Sequence, residues 1–185
     1  MAISVIPGPF QFGKSAPHVR NPCGFIRHLA LYAMARIYIE VEIASHAEPI
    51  FDRLQNHADY QRFRSIDASR LLEEGRENKN GVGALRELRA GPIVFREEIT
   101  HYEPPLRLDY LIRECNAPIR HEYGSIRLTS VGPHRTLVTW ESRFELDVPL
   151  LGAVFAPFAA WTGERAFRGI LEEIKAELQE IRTPV

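Results

Sequence analysis

Apolar and polar residues alternate with the period of two that marks half-buried β-strands along most of the middle of the chain. The stretch 135–146 is the clearest case, because Val138, Trp140 and Phe144 share one face and charged residues fill most of the other. The alternating stretches predict seven strands, at 35–44, 66–74, 82–89, 93–102, 106–114, 119–130 and 135–146. Short turns rich in glycine, proline and asparagine separate the last six, which predicts antiparallel pairing.

The stretch from Pro157 to Arg182 has the period of a helix instead. Its apolar stripe consists of Phe167, Leu171, Ile174, Leu178 and Ile181. The first half of this helix differs, because it mixes small residues with bulky ones: Ala159, Ala160 and Gly163 with Phe155, Phe158 and Trp161. We therefore expect the second half to pack tightly on the sheet and the first half to leave a gap, although a helix packed along its whole length is the alternative.

The order of predicted elements is one strand, short helices, six strands and a long helix, which is typical of an α+β fold. The terminal helix is the one predicted element long enough to cover the sheet, so we expect a curved antiparallel sheet of about seven strands wrapped around it. Residues 1–33 carry prolines and glycines that interrupt every possible element. We predict an N-terminal extension there, mobile or from a mis-assigned start, and a ligand-binding domain at 34–185.

Composition narrows the class of protein. The chain has 185 residues, of which 45% are hydrophobic and 25% charged, as in an ordinary globular domain. Its net charge of -1 gives no support for nucleic-acid binding. The two cysteines, Cys23 and Cys115, form no disulfide framework, so a reducing, cytoplasmic setting is expected. No apolar run approaches the ~20 residues of a membrane span.

Several local patterns mark turns and core positions of a known superfamily. They are Gly81-Val82-Gly83 at the start of a strand, Glu98-Ile99 followed by Tyr102-Glu103-Pro104-Pro105 and Arg107-Leu108-Asp109-Tyr110, and Thr136-Leu137-Val138-Thr139-Trp140 before the long helix. From about Ala35 to Arg182 the chain resembles the SRPBCC superfamily, the START-related helix-grip proteins that include polyketide cyclase/dehydrase and lipid-transport members. The resemblance implies a helix-grip fold and a hydrophobic ligand between the sheet and the long helix. Some members catalyse aldol cyclisation or dehydration there, but no universal catalytic motif exists to carry over.

Two glutamates are candidates for chemistry inside such a cavity. Glu97 shares a strand face with Phe95 and Ile99, and a carboxylate among apolar side chains can act as a general acid or base. Alternatively, a twist or bulge places Glu97 at the rim, paired with an arginine. Glu122 shares its face with Gly124, and the same two interpretations apply.

The predicted ligand-binding residues are Phe95, Glu97, Tyr110, Trp140, Ser142, Phe158 and Trp161. The polar tips of Tyr110 and Trp140 would orient a ligand, with plain core packing as the alternative. His121 and Tyr123 point away from the cavity by parity, unless Gly124 shifts the register. The seven histidines show no metal-ligand spacing, and no nucleotide-binding loop is present, so neither a metal nor a cofactor is predicted.

The segment 150–158 is too apolar for an exposed connection. We expect this segment to be a lid over the cavity mouth, a dimer contact, or the buried start of the helix. The sequence is compatible with both a monomer and a homodimer. The sequence predicts that the protein binds and transports a small hydrophobic molecule, lipid or polyketide-like. The alternatives are a polyketide cyclase/dehydratase-like enzyme using Glu97 or Glu122 with Tyr110, and a protein-interaction module using the apolar segment.

Overall fold

The structure, a computed structural model, describes residues 33–148 and 151–182. The predicted extension, apart from Ala33, lies outside these described residues, as do residue 149 and the first residue of the apolar segment, residue 150. The strands are β1 Ala33–Ile43, β2 Ala68–Glu73, β3 Leu85–Ala90, β4 Ile93–Glu103, β5 Arg107–Cys115, β6 Ile119–Gly132 and β7 Arg135–Leu146. The helices are α1 Ala47–Gln55, a short 3-10 helix His57–Arg62, and α2 Gly152–Arg182.

The seven strands form one sheet in the order β1-β7-β6-β5-β4-β3-β2, and every neighbouring pair is antiparallel. Strands β2 to β7 form a meander, because each pairs with the next one along the chain. The two short helices between β1 and β2 carry the chain from one edge of the sheet to the other. This arrangement confirms the predicted α+β helix-grip fold with seven antiparallel strands and a long C-terminal helix.

The long helix begins earlier than predicted. Its first residue is Gly152, so the predicted start at Pro157, with a loop before it, was wrong. Sequence reading places a proline in the first turn of a helix, because a proline further inside removes one backbone hydrogen bond. In α2 the proline, Pro157, lies inside the helix instead. The apolar segment is therefore mostly helix, and Val154 and Phe155 on it are exposed.

The second half of α2 packs tightly, as its apolar stripe predicts. Leu171, Ile174 and Leu178 are buried in the main core together with three residues of α1, namely Ile50, Phe51 and Leu54. An ion pair of 3.0 Å between Arg53 Nε and Glu177 Oε2 also joins α1 to this half of the helix. The last member of the stripe, Ile181, is exposed.

The first half of α2 approaches the sheet closely at one point. A Cβ atom added to Gly163 would lie 2.2 Å from Ile37 Cδ1 on β1, so the absence of a side chain permits this contact. Ala159 and Ala166 on the same face of α2 are also small. Beside the contact at Gly163, the helix and the sheet are separated. The space between them is a cavity.

Candidate functional site

The cavity lies between the first half of α2 and the concave face of the sheet, and its volume is about 310 Å³. That volume is at the small end of the range of ~300–1,000 Å³ usual for ligand pockets. Its wall is largely apolar, with Ile37, Leu88, Ile93, Ile112, Ile119 and Phe144 among the lining residues. Thr162 on α2 lines the cavity and is also exposed, so the cavity reaches solvent beside the helix.

One buried ion pair forms part of this apolar wall. Arg86 on β3 lies directly opposite Glu97 on β4 in the sheet register. Arg86 Nε and Nη2 each lie 2.7 Å from Glu97 Oε2. Arg86 is 1% exposed and Glu97 is 5% exposed, so the two charges neutralise each other away from water. An unpaired charge at this depth would be strongly unfavourable, which explains why the two residues occur together.

Two tyrosine rings flank the guanidinium. Its carbon lies 4.8 Å from the ring centroid of Tyr60 and 5.4 Å from that of Tyr110, distances typical of cation–π contacts. Burial alone would lower the pKa of Arg86, but Glu97 and the two tyrosines outweigh it and raise that pKa. Arg86 is therefore a permanent cation, and its Nη1 has no hydrogen-bond partner among the described residues.

Tyr110 on β5 is fixed by contacts on several sides. Its ring lies over Gly124 on β6, where an added Cβ would be 2.1 Å from Tyr110 Cζ. Trp140 on β7 donates a hydrogen bond of 3.1 Å from Nε1 to the Tyr110 hydroxyl, and it stacks on Phe167 of α2 with 4.1 Å between ring centroids. Burial, with a further contribution from the charge of Glu97, raises the pKa of Tyr110, so its hydroxyl keeps its proton at neutral pH.

His121 on β6 is buried next to Tyr110, with 5.5 Å between the stacked rings. The backbone N–H of Ile112 donates to His121 Nδ1 at 3.0 Å, and His121 Nε2 lies 3.0 Å from Ser142 Oγ. Burial lowers the pKa of His121 to about 4, so the ring is neutral at pH 7. Because Nδ1 accepts, the single ring proton is on Nε2 and is donated to Ser142.

The family model for polyketide cyclase / dehydrase and lipid transport proteins matches residues 34–179, which is most of the chain. The chain belongs to this family. Its membership confirms the predicted place in the SRPBCC superfamily. A comparison with curated proteins finds no match.

Solved structures with the same fold include enzymes and proteins named only by family. The Zhui aromatase/cyclase from a Streptomyces species is 17% identical, with a TM-score of 0.69 over 82% of this chain and 97% of that one. A START superfamily protein from Mycobacterium smegmatis is 13% identical, with a TM-score of 0.66 over 79% and 98% of the two chains. A Thalictrum norcoclaurine synthase is 13% identical, with a TM-score of 0.52 over 77% and 97%. Identities this low show the shared fold alone.

The structure brings together five of the predicted ligand-binding residues of this family member. Those that line the cavity are Phe95, Glu97, Tyr110, Trp140 and Ser142. Phe158 and Trp161 do not line it and are 62% and 53% exposed. The α2 residues that line the cavity include the small Ala159, Gly163 and Ala166, which lie on the helical face that meets the sheet.

Glu122 does not face the cavity, so its predicted inward position was wrong. It is exposed, and its Oε2 lies 3.1 Å from Arg143 Nε. The cause is a β-bulge between His121 and Tyr123 in the pairing of β6 with β7. The extra residue inverts the alternation, so His121 faces inward and Glu122 faces solvent. The predicted irregularity near Gly124 is therefore present two residues earlier in the chain.

Arg86 is the important cavity residue that sequence reading did not select. It alternates with Ala84 and Leu88, both buried, so its inward parity is visible in the sequence. Only the pairing of β3 with β4 shows that Glu97 is its partner, and this confirms the second interpretation of Glu97, pairing with an arginine. The ion pair lies in the cavity wall, however, so the position at the rim that this interpretation gave to Glu97 was wrong.

The apolar segment does not form a loop over the cavity. From Leu151 to Phe158 none of its residues lines the cavity, and helix α2 includes all but the first of them. Within residues 33–148 and 151–182, no group of three or more histidine, cysteine, aspartate or glutamate side chains is arranged to hold a metal ion. In the same part of the chain, no helix is both long and apolar enough to cross a membrane.

Proposed function

We propose that this family member binds one small hydrophobic molecule in the cavity between the sheet and α2, as a binding or transport protein. The observation that carries the proposal is a cavity of about 310 Å³ with a largely apolar wall in an otherwise packed core. Protein interiors are normally filled to crystal-like density, so an apolar space of this size is unfavourable unless a ligand uses it.

The state of Glu97 supports binding over carboxylate chemistry. A general base needs an oxygen that is free to accept a proton from the substrate. Glu97 Oε2 is 2.7 Å from two nitrogens of Arg86, which holds the carboxylate in an ion pair. The other candidate, Glu122, lies outside the cavity. The cyclase and dehydratase alternative would therefore have to use Glu97 within its ion pair and without Glu122, although one fold relative is named as an aromatase/cyclase.

The test is native mass spectrometry of the full chain as purified, with organic extraction to identify the bound molecule. We expect one apolar molecule per chain, or one after incubation with an apolar extract. The variant Ala166→Leu adds three carbons to the cavity wall and should lose at least about tenfold in occupancy. Ala176→Leu makes the same change at an exposed position of α2 and should leave occupancy unchanged.

Equal occupancy in wild type, Ala166→Leu and Ala176→Leu would place the molecule outside the cavity and reject the proposal. A chain that stays empty after exposure to apolar extracts would do the same. A reducing, cytoplasmic setting, expected from the cysteine content, is part of this proposal and is tested separately by cell fractionation.

A further inference from the structure

The hydroxyl groups of Tyr110 and Ser142 each carry one proton, and each also accepts a hydrogen bond from a neighbouring side chain. Both residues line the cavity, and they are 2% and 3% exposed. His121 Nε2–H donates to Ser142 Oγ at 3.0 Å, and Trp140 Nε1–H donates to Tyr110 Oη at 3.1 Å. An indole N–H can only donate, and neutral His121 has a single proton. Each hydroxyl oxygen therefore already accepts one hydrogen bond from the protein.

The protons of the Tyr110 and Ser142 hydroxyl groups each need an acceptor. If the two hydroxyls are bonded to each other, one proton lies between the two oxygens and the other is free. If they are not, both protons are free. No other acceptor for either hydroxyl is found among residues 33–148 and 151–182. In both arrangements at least one O–H donor on the cavity wall has no protein acceptor, and a buried donor without an acceptor costs free energy.

The charge around the cavity limits which acceptor fits. Arg86 and Glu97 both line the cavity, and their charges cancel. A carboxylate or phosphate on the ligand would add an unbalanced charge to a largely apolar space, which is strongly unfavourable. A protonated amine on the ligand has no acceptor atom, so it would leave the uncommitted O–H unsatisfied and would also add an unbalanced charge.

We propose that the Tyr110–Ser142 hydroxyl pair donates one hydrogen bond to a neutral acceptor on the ligand, such as a ketone or ester carbonyl oxygen. His121 and Trp140 are positioning residues in this arrangement, because their donated protons direct the free hydroxyl proton to the cavity. This inference rests on the proposed function and adds the chemical class of the ligand, an apolar molecule with a neutral oxygen acceptor such as a carbonyl group.

The test compares two probes of the same shape, acetylnaphthalene and isopropenylnaphthalene, in which a methylene group replaces the carbonyl oxygen. The affinity of both is measured for wild type, Tyr110→Phe/Ser142→Ala and Ser125→Ala. Ser125 is a matched control because it is a buried serine outside the cavity wall, with its hydroxyl bonded to Asp109 at 2.6 Å. The infrared stretching band of the bound carbonyl provides a second readout that does not depend on stability.

We expect the preference for the ketone over the hydrocarbon to fall about 5- to 10-fold in Tyr110→Phe/Ser142→Ala and to persist in Ser125→Ala. The carbonyl band should lie at lower frequency in wild type than in the double variant. If both probes bind but the preference and the band are unchanged in the double variant, the hydroxyl assignment is rejected and cavity binding stands. If neither probe binds wild type, the inference fails together with the proposed function.

Discussion

Arg86 and Glu97 form an ion pair in the cavity wall, with two guanidinium nitrogens 2.7 Å from one carboxylate oxygen. The two residues are 1% and 5% exposed. The pair engages Glu97, one of the two carboxylates that the sequence offers as candidates for chemistry in the cavity. Its consequences for stability and for binding are therefore the most informative ones to measure.

Glu97→Gln is expected to destabilise the protein by about 3 kcal/mol, because it leaves the charge of Arg86 buried without its counter-ion. The measurement is the free energy of unfolding in urea. Glu98→Gln is the matched control on the same strand, since Glu98 pairs with Arg113 at the surface and its loss should cost less than about 1 kcal/mol.

The double variant Arg86→Leu/Glu97→Leu extends this test. Removing both charges together leaves no unpaired ion, so we expect it to be more stable than Glu97→Gln alone. Full stability of Glu97→Gln would contradict the account of the pair.

Gly124→Ala is expected to destabilise the protein by roughly 1–3 kcal/mol, because the new methyl group overlaps the ring of Tyr110. That ring cannot move freely, since Trp140 and His121 contact it. Gly169→Ala is the control: nothing lies within 4 Å of its added Cβ, and α2 should gain about 0.5–1 kcal/mol. Thermal unfolding compares the two, and equal melting temperatures would show that Tyr110 is not held as described.

Two buried histidines predict how stability depends on pH. Burial, with a smaller contribution from the charge of Arg86, lowers the pKa of His57 to about 2, and burial lowers the pKa of His121 to about 4. The unfolded chain binds protons at these residues near pH 6.5, so it gains protons before the folded protein does. Stability is therefore complete above about pH 6.5 and falls as the pH is lowered from there, through pH 4 for His121 and beyond for His57.

His57→Leu tests this dependence. Neither ring nitrogen of His57 has a hydrogen-bond partner among the described residues, so leucine loses no hydrogen bond. We expect the variant to be at least as stable as wild type at pH 7 and to lose about 2 kcal/mol less between pH 7 and pH 5. Parallel pH profiles of wild type and variant would show that His57 titrates normally in the folded protein.

The parts of the fold that sequence reading predicted well are those where the alternation is unbroken. On β7, every residue predicted to face inward from Thr136 to Leu146 is buried, because no bulge interrupts the strand. The packed second half of α2 was also predicted correctly, because its apolar stripe keeps an uninterrupted helical period.

The errors have two local physical causes. The bulge near Glu122 inverts a parity that residue spacing alone cannot reveal, so Glu122 and His121 exchanged faces. Pro157 is tolerated inside α2, so the start of the helix was placed too late. The Arg86–Glu97 pair required a third kind of information, the register between two strands, which the residues of either strand do not contain.

The central claim is that an apolar molecule enters the cavity, and Trp140 reports this directly. The chain has two tryptophans. Trp140 lines the cavity and is 2% exposed, whereas Trp161 lies outside it, so Trp161→Phe leaves one reporter in the wall. Bromine quenches indole fluorescence on contact, which makes bromooctane a suitable probe.

The measurement is the fluorescence of Trp140 in the Trp161→Phe variant during titration with bromooctane. We predict saturable quenching at one molecule per chain, reversed by an excess of octane, which competes for the cavity without quenching. Quenching no stronger than that of free indole at the same bromooctane concentrations, with no effect of octane, would contradict the claim.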